Sequence, residues 1–249
     1  NLTVARTLLP SPTTRSRSII PDSNNPRLDI HRPIKAPVSK VSLLHLGAPD
    51  GFTPEPQPDD EEAMQHYGII KPYILFVGTL EPRKNLNSLI KGFDKIAKNR
   101  PDVHLVLAGR RGWMAQAIFD ELERRDLLGR VHITGYVREE YLPALYRQAA
   151  AFAYPSLYEG FGLPPLEAMS SGTPVIVSRS SSLPEVVGDA GLYVDPLNAD
   201  ELAQAMESIL SNPELAADLR RKGLERSAQF SWKKAAQQTL EILRNAARV

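Results

Sequence analysis

The sequence predicts an α/β protein with a doubly wound parallel sheet, and three observations carry that prediction. Short apolar runs recur from Tyr73 onward: YILFVGT, VHLVLAG, VHITG, AAFAYPS, PVIVS and GLYV. Between most of them lie longer segments whose apolar residues follow helical spacing. The runs end in stretches that are polar, Gly-bearing or both. Strands alternating with helices in this way imply βαβ units and a parallel sheet covered on both faces.

The first part of the chain reads differently. LLPSPTTRSRSIIPDSNNPRLDIHRPIKAP is crowded with Pro, Ser, Asn and Arg, and only SII and, after it, VSLLHLG are candidate short strands. FTPEPQPDDEEAMQHYGI follows as a Pro-rich acidic linker running into a short helix, with PDDEE read as a solvated charge run. A boundary near residue 70 divides an irregular region, residues 1–67, from an α/β domain, residues 68–249.

Within that domain YILFVGT is the first buried strand. NLNSLIKGFDKIAKNR places Leu86, Leu89, Ile90, Phe93 and Ile96 in one apolar helical stripe. VHLVLAG is the next strand, and MAQAIFDELERRDLLG a helix ending at Gly129. VHITG precedes the helix REEYLPALYRQA, and AAFAYPS precedes a helix entered through EGFGLPPLEAM. PVIVS and GLYV complete the strands. NADELAQAMESILS, PELAADLRRKGLERSAQ and SWKKAAQQTLEILRNAAR are three closing helices.

Composition narrows the function. With 249 residues the chain can bury a sizeable core, as one large domain or two small ones. A net charge of +1 argues against a general nucleic-acid binder, which would carry a basic excess. No apolar run approaches the ~18 residues of a membrane span, and no signal peptide opens the chain. Zero cysteines exclude disulfides, thiolate metal sites and a cysteine nucleophile. A cytoplasmic protein fits these features.

In such a sheet, ligands bind beyond the carboxyl ends of the strands. After the first strand, GTLEPRKN puts Gly78 where backbone can approach a ligand, and Arg83 and Lys84 where cations can reach it. The cations either neutralise a diphosphate or stand as a solvated pair at a helix start. Cations there are slightly unfavourable with the helix dipole, so something anionic nearby would compensate. After the fourth strand, Gly160 and Gly162 permit a sharp bend, and Pro164 and Pro165 suit a first helical turn. The N–H groups around Phe161, Gly162 and Leu163 then form an anion site at a helix N-terminus. Glu159 before the turn and Glu167 in the early helix can face one crevice, where a carboxylate suits paired sugar hydroxyls; for Glu167 the alternative is a favourable charge near a helix N-terminus. GRRGW supplies Arg110 and Arg111, read equally as ligand groups or as surface. His45, His104 and His132 fall inside expected strands and read as structural. No His pair or Asp-x-Asp has metal-ligand spacing, and neither a dinucleotide fingerprint nor a P-loop occurs.

These motifs resemble the C-terminal donor-binding domain of retaining GT-B glycosyltransferases of the family 4 type (glycosyl transferases group 1). FVGTLEPRKNLNSLIKGF, LVLAG, VHITGYV, LYEGFGLPPLEAMSSGTPVIVS and LPEVVGDAGLYVDP carry the resemblance, over roughly residues 68 to 245. It implies a Rossmann-like domain, a single GT-B half with an irregular N-terminal extension. Arg83 and Lys84 would hold the donor diphosphate, with Gly78 allowing its approach. Tyr136 and Val137 would contact the base. Glu159 would face the sugar, Phe161, Gly162 and Leu163 would offer amides to sugar and phosphate, and Glu167 would bind the ribose. Glu159, Arg83 and Lys84 are thus the candidate catalytic residues, acting by electrostatic stabilisation without a metal.

The donor implied is a nucleotide sugar. EPRKN with GFGLPP is common among mannosyl- and rhamnosyltransferase-like sequences, which favours GDP-mannose. Residues 1–67 would be the remnant of an N-terminal domain, the crossover segment and a linker. The acceptor, a glycan or lipid-linked saccharide, would meet an N-terminal domain that this chain mostly lacks, and the chain alone would be inactive. Membrane association would belong to the full-length protein. The alternatives are a non-catalytic nucleotide-sugar-binding or regulatory module, and a related GT-B enzyme such as a sugar-nucleotide epimerase.

Overall fold

The computed structural model describes residues 18–24, 40–48 and 50–247. Its contacts separate two compact units, Ala48–Gln229 and a second made of Asn1–Gly47 with Phe230–Val249.

The larger unit holds one six-stranded sheet. Its strands are β1 (Tyr73–Val77), β2 (His104–Ala108), β3 (Val131–Gly135), β4 (Ala151–Tyr154), β5 (Val175–Ser178) and β6 (Gly191–Val194). They lie in the order β3-β2-β1-β4-β5-β6, and every neighbouring pair is parallel. The order reverses between β1 and β4, and in doubly wound sheets ligands bind at the carboxyl ends of the strands at such a switch point. β1, β2, β4 and β5 are buried almost throughout, as the unbroken apolar runs require of strands covered on both faces.

The helices of this unit are α1 (Asp60–His66), α2 (Leu86–Ala97), α3 (Gln116–Arg124), α4 (Leu142–Arg147), α5 (Leu163–Ser170), α6 (Leu183–Val187), α7 (Ala199–Ser211) and α8 (Pro213–Ser227). In α2 the stripe of Leu86, Leu89, Ile90, Phe93 and Ile96 is buried. Each fully buried member stabilises the fold by about 2 kcal/mol relative to exposure. α2 packs on α7, and α5 packs on α8.

Three local readings of the sequence change. α3 stops at Arg124 rather than running to Gly129. Asp126 takes the left-handed conformation, φ 56°, and the amides of Asp126 and Leu127 bond to the carbonyls of Glu123 and Leu122. An aspartate therefore closes the helix in the motif usually closed by glycine, with buried Leu127 as its apolar contact. α6 was not expected, because LPEVV is too short to show a period. The PDDEE run is no solvated linker throughout: Asp60 is buried and takes a forked pair from Arg147, with Nη2 2.6 Å from Oδ1. Burial opposes the charge on Asp60, but Arg147, Gln148 and the Gln57 amide hold its pKa below the usual carboxylate range.

In the smaller unit Ile19 and Val41 form a single parallel bridge where two short strands were expected. His45 lies outside any strand, with its ring 5.6 Å from that of Phe230. α9 (Trp232–Ala247) is the last of the three closing helices. The remainder of the Pro-, Ser-, Asn- and Arg-rich stretch, residues 25–39, lies outside the described residues.

Candidate functional site

At the carboxyl ends of β1 and β4 two loops lock together. After β1 the chain forms a short 3-10 turn, Pro82–Lys84, and Asn85 then takes a left-handed conformation, φ 57°, to start α2. Asn85 is fixed by its amide, which donates to the carbonyls of Pro155 at 3.2 Å and Pro196 at 2.5 Å. The Arg83 carbonyl accepts from the Leu157 amide at 2.9 Å and the Ser156 hydroxyl at 3.2 Å. The loop after β1 is therefore tied at several points to the loop after β4.

Glu159 sits where they meet. Its Oε1 accepts from Lys84 Nζ at 2.7 Å and from Ser156 Oγ at 2.5 Å, and its Oε2 from Arg83 Nη1 at 2.9 Å. Lys84 also donates to the Tyr154 hydroxyl at 2.5 Å. The side chains of Lys84 and Glu159 are only 9% and 10% exposed, whereas Arg83 is 43% exposed and reaches on to Glu81 and the Tyr158 carbonyl. Burial opposes the charge on Glu159, yet the Lys84 ammonium, the Ser156 hydroxyl and Arg83 together keep its pKa below the usual range. Burial pulls Lys84 down against the attraction of the same carboxylate. The anion that the two cations call for is thus supplied by the protein itself, 75 positions further along.

The turn after Glu159 is held by the loop after β5. Ser181 Oγ accepts from the Glu159 amide at 2.8 Å, while Ser182 Oγ bonds to the carbonyls of Glu159 and Phe161 at 3.1 and 2.6 Å. Gly162 caps α5 with φ 120°, and a side chain there would press on Leu183 as well as strain the backbone. Phe161 is buried, Leu163 half-buried, and among the described residues the amides of Gly162 and Leu163 meet no acceptor. These are the donors a helix N-terminus leaves open.

The other candidates stand apart from this cluster. Glu167, on α5, accepts from the buried Tyr146 hydroxyl at 2.8 Å. Burial raises its pKa, and the Tyr146 bond offsets only part of the rise. Burial pushes the Tyr154 hydroxyl well up, and the charges of Glu159 and Glu167 add to the rise. Gly78 follows β1, and a Cβ there would lie 3.6 Å from Lys84 Cε. Tyr136 and Val137 follow β3: Tyr136 is 53% exposed, whereas Val137 is buried and offers only its backbone. His104 and His132 bond to each other across β2 and β3 at 3.1 Å, which is a structural role.

Sequence reasoning missed the residues that support the cluster, namely Tyr146, Tyr154, Ser156, Ser181 and Ser182. The polar, serine-rich end of β5 was visible, but nothing local tells which carbonyl a serine will meet. Among the described residues no cluster of three metal-ligating side chains occurs, and no helix is long and apolar enough to cross a membrane.

The family model described as glycosyl transferases group 1 matches residues 59–226. O-antigen chain mannosyltransferase B of Escherichia coli is 36% identical over 227 residues, covering 90% of this chain and 60% of that protein. The chain thus spans about three fifths of that relative's length. Among solved structures, sucrose-phosphate synthase from Thermosynechococcus elongatus superposes with a TM-score of 0.83 at 29% identity, over 98% of this chain and 61% of that one. A glycosyltransferase from Rickettsia africae shares the fold with a TM-score of 0.87 at 20% identity, over 98% of this chain and 67% of that one.

Proposed function

Since the chain belongs to the glycosyl transferases group 1 family, we propose that it is the donor-binding half of a retaining, nucleotide-sugar-dependent hexosyltransferase. One observation carries the reading: Arg83, Lys84 and Glu159 converge at the carboxyl ends of β1 and β4, beside the open amides of Gly162 and Leu163. A donor diphosphate is a second anion for these cations. Arg83, the exposed member, meets it directly, and Lys84 acts from beneath through its charge. Fixed cations and amides then stabilise the leaving diphosphate, a preorganised electrostatic role. Glu159 faces the sugar and Glu167 takes the ribose hydroxyls. Gly78 admits the phosphates, with Tyr136 and the Val137 backbone near the base.

The Escherichia coli relative is a mannosyltransferase by name, which supports mannose as the sugar, and GDP-mannose is the donor we propose. The acceptor is a glycan or lipid-linked saccharide met by an N-terminal domain, and transfer requires that domain. Calorimetric titration with GDP, UDP, ADP and their sugars tests the core of the reading. Saturable binding of a nucleoside diphosphate is expected, and folded protein that binds none of them ends the proposal.

A further inference from the structure

Among the described residues of Ala48–Gln229, arginine guanidiniums are matched to carboxylates or carbonyls. Arg147 holds Asp60, Arg125 holds Asp94 and Arg226 holds the Val186 carbonyl. Arg110 and Arg111, in the loop after β2, are the exceptions. Arg110 lies over the Tyr136 ring, 4.4 Å from its centroid, and Arg111 over Phe119 at 4.0 Å. Ring packing restrains these groups without using any of their N–H donors.

A path leads from the diphosphate cluster to Arg110. Gly78, Gly109 and Gly135 stand at the ends of β1, β2 and β3, joined by Gly78 N–H to the Ala108 carbonyl at 2.9 Å and Gly109 N–H to the Gly135 carbonyl at 2.8 Å. The fit is close: a Cβ on Gly109 would fall 1.9 Å from the Gly78 carbonyl oxygen. Three neighbouring strand ends therefore carry no side chain, a glycine ledge with Lys84 beside Gly78 at one end and Arg110 and Tyr136, which directly follow Gly109 and Gly135, at the other. The opposite direction is occupied. There the hydroxyls of Ser178, Ser180, Ser181 and Ser182 are engaged with Ser156, Glu159 and Phe161.

Resting on the donor-binding reading above, we propose that the nucleobase lies along this ledge against Tyr136 and that Arg110 selects guanine. A guanidinium only donates hydrogen bonds. Guanine presents two adjacent acceptors, O6 and N7, to such a fork, whereas adenine sets a donor beside its N7 and a pyrimidine has no such pair of acceptors. GDP is therefore bound more tightly than either UDP or ADP.

Titration of the wild type, Arg110→Ala and Arg110→Lys with GDP, UDP and ADP tests the assignment. Wild type binds GDP at least about fivefold more tightly than ADP, the lower end of what a bidentate base contact discriminates. Arg110→Ala brings the three within about twofold of each other, mostly by weakening GDP. Arg110→Lys, which keeps the charge but loses the fork, also loses the preference. A GDP preference undiminished in Arg110→Ala overturns the proposal, as does an equal loss for all three, which is a role of charge alone. Wild type preferring UDP or ADP overturns the guanine assignment and leaves the donor-binding reading intact. Absence of binding by all three removes both.

Discussion

Glu159 and Glu167 lie on one loop-helix segment, eight positions apart, and their surroundings act on them in opposite directions. Glu159 is held by two cations and a hydroxyl, and stays charged although buried. Glu167 has one neutral partner, the Tyr146 hydroxyl, and burial raises its pKa. The first carboxylate is fixed before any ligand arrives, and it already spends its charge on the protein. The second has capacity left for further donors, as a site for paired hydroxyls needs. A shared motif therefore does not imply a shared state.

Breaking the Lys84–Glu159 pair gives the largest expected effect. Lys84→Met leaves a buried carboxylate with only Arg83 and Ser156, and should cost about 3 kcal/mol. For a unit of this size that is a fall of roughly 6–12 °C in Tm. Adding Glu159→Gln should recover much of the loss, because the stranded charge is gone. By contrast Glu167→Gln, which still accepts from Tyr146, should cost less than about 1 kcal/mol. Thermal denaturation of the four proteins checks this, and equal losses for Lys84→Met and Glu167→Gln would show the two sites to be alike.

Binding sharpens the same contrast at a smaller scale. Glu167→Ala should weaken even the bare nucleoside diphosphate by about tenfold, the value of a hydrogen bond to a charged group. Glu159→Gln should cost about as much for the sugar nucleotide only. It should leave the bare diphosphate as tight or tighter, since it removes a rival for Arg83. Equal weakening of the bare diphosphate in both variants would end the division of roles.

The parts legible in the sequence were those with local causes. Apolar runs of four or five residues between polar loops gave the strands of the sheet, and the stripe in α2 followed from spacing alone. Gly162 and the Pro164–Pro165 entry to α5 were readable from the backbone angles that they allow. Contacts between distant positions were not legible. The need for an anion near Arg83 and Lys84 could be stated, but not that Glu159 meets it, since only the β1–β4 crossover brings them together. Asp60 and Arg147 are 87 positions apart, and a charge run next to prolines looks the same whether solvated or buried. Asp126 closing α3 was hidden for another reason: aspartate takes the left-handed conformation less often than glycine, so Gly129 carries the stronger C-terminal signal.

The smallest expected effect separates stability from binding within Glu167 alone. Its folded pKa is raised by burial, so the folded protein holds the proton more tightly than the unfolded chain. Its contribution to stability is therefore full below the unfolded pKa and is lost as pH rises through the folded one. Affinity for a nucleoside diphosphate should move the other way. Ribose hydroxyls donate to the ionised carboxylate, so binding should weaken as pH falls through the raised pKa, while Glu159, with its pKa lowered, still carries its charge. Calorimetry and thermal denaturation across the acid range should show the two trends with opposite signs, and Glu167→Gln should remove both. A pH dependence of affinity that persists in Glu167→Gln would assign the titration to another group and take the ribose role from Glu167.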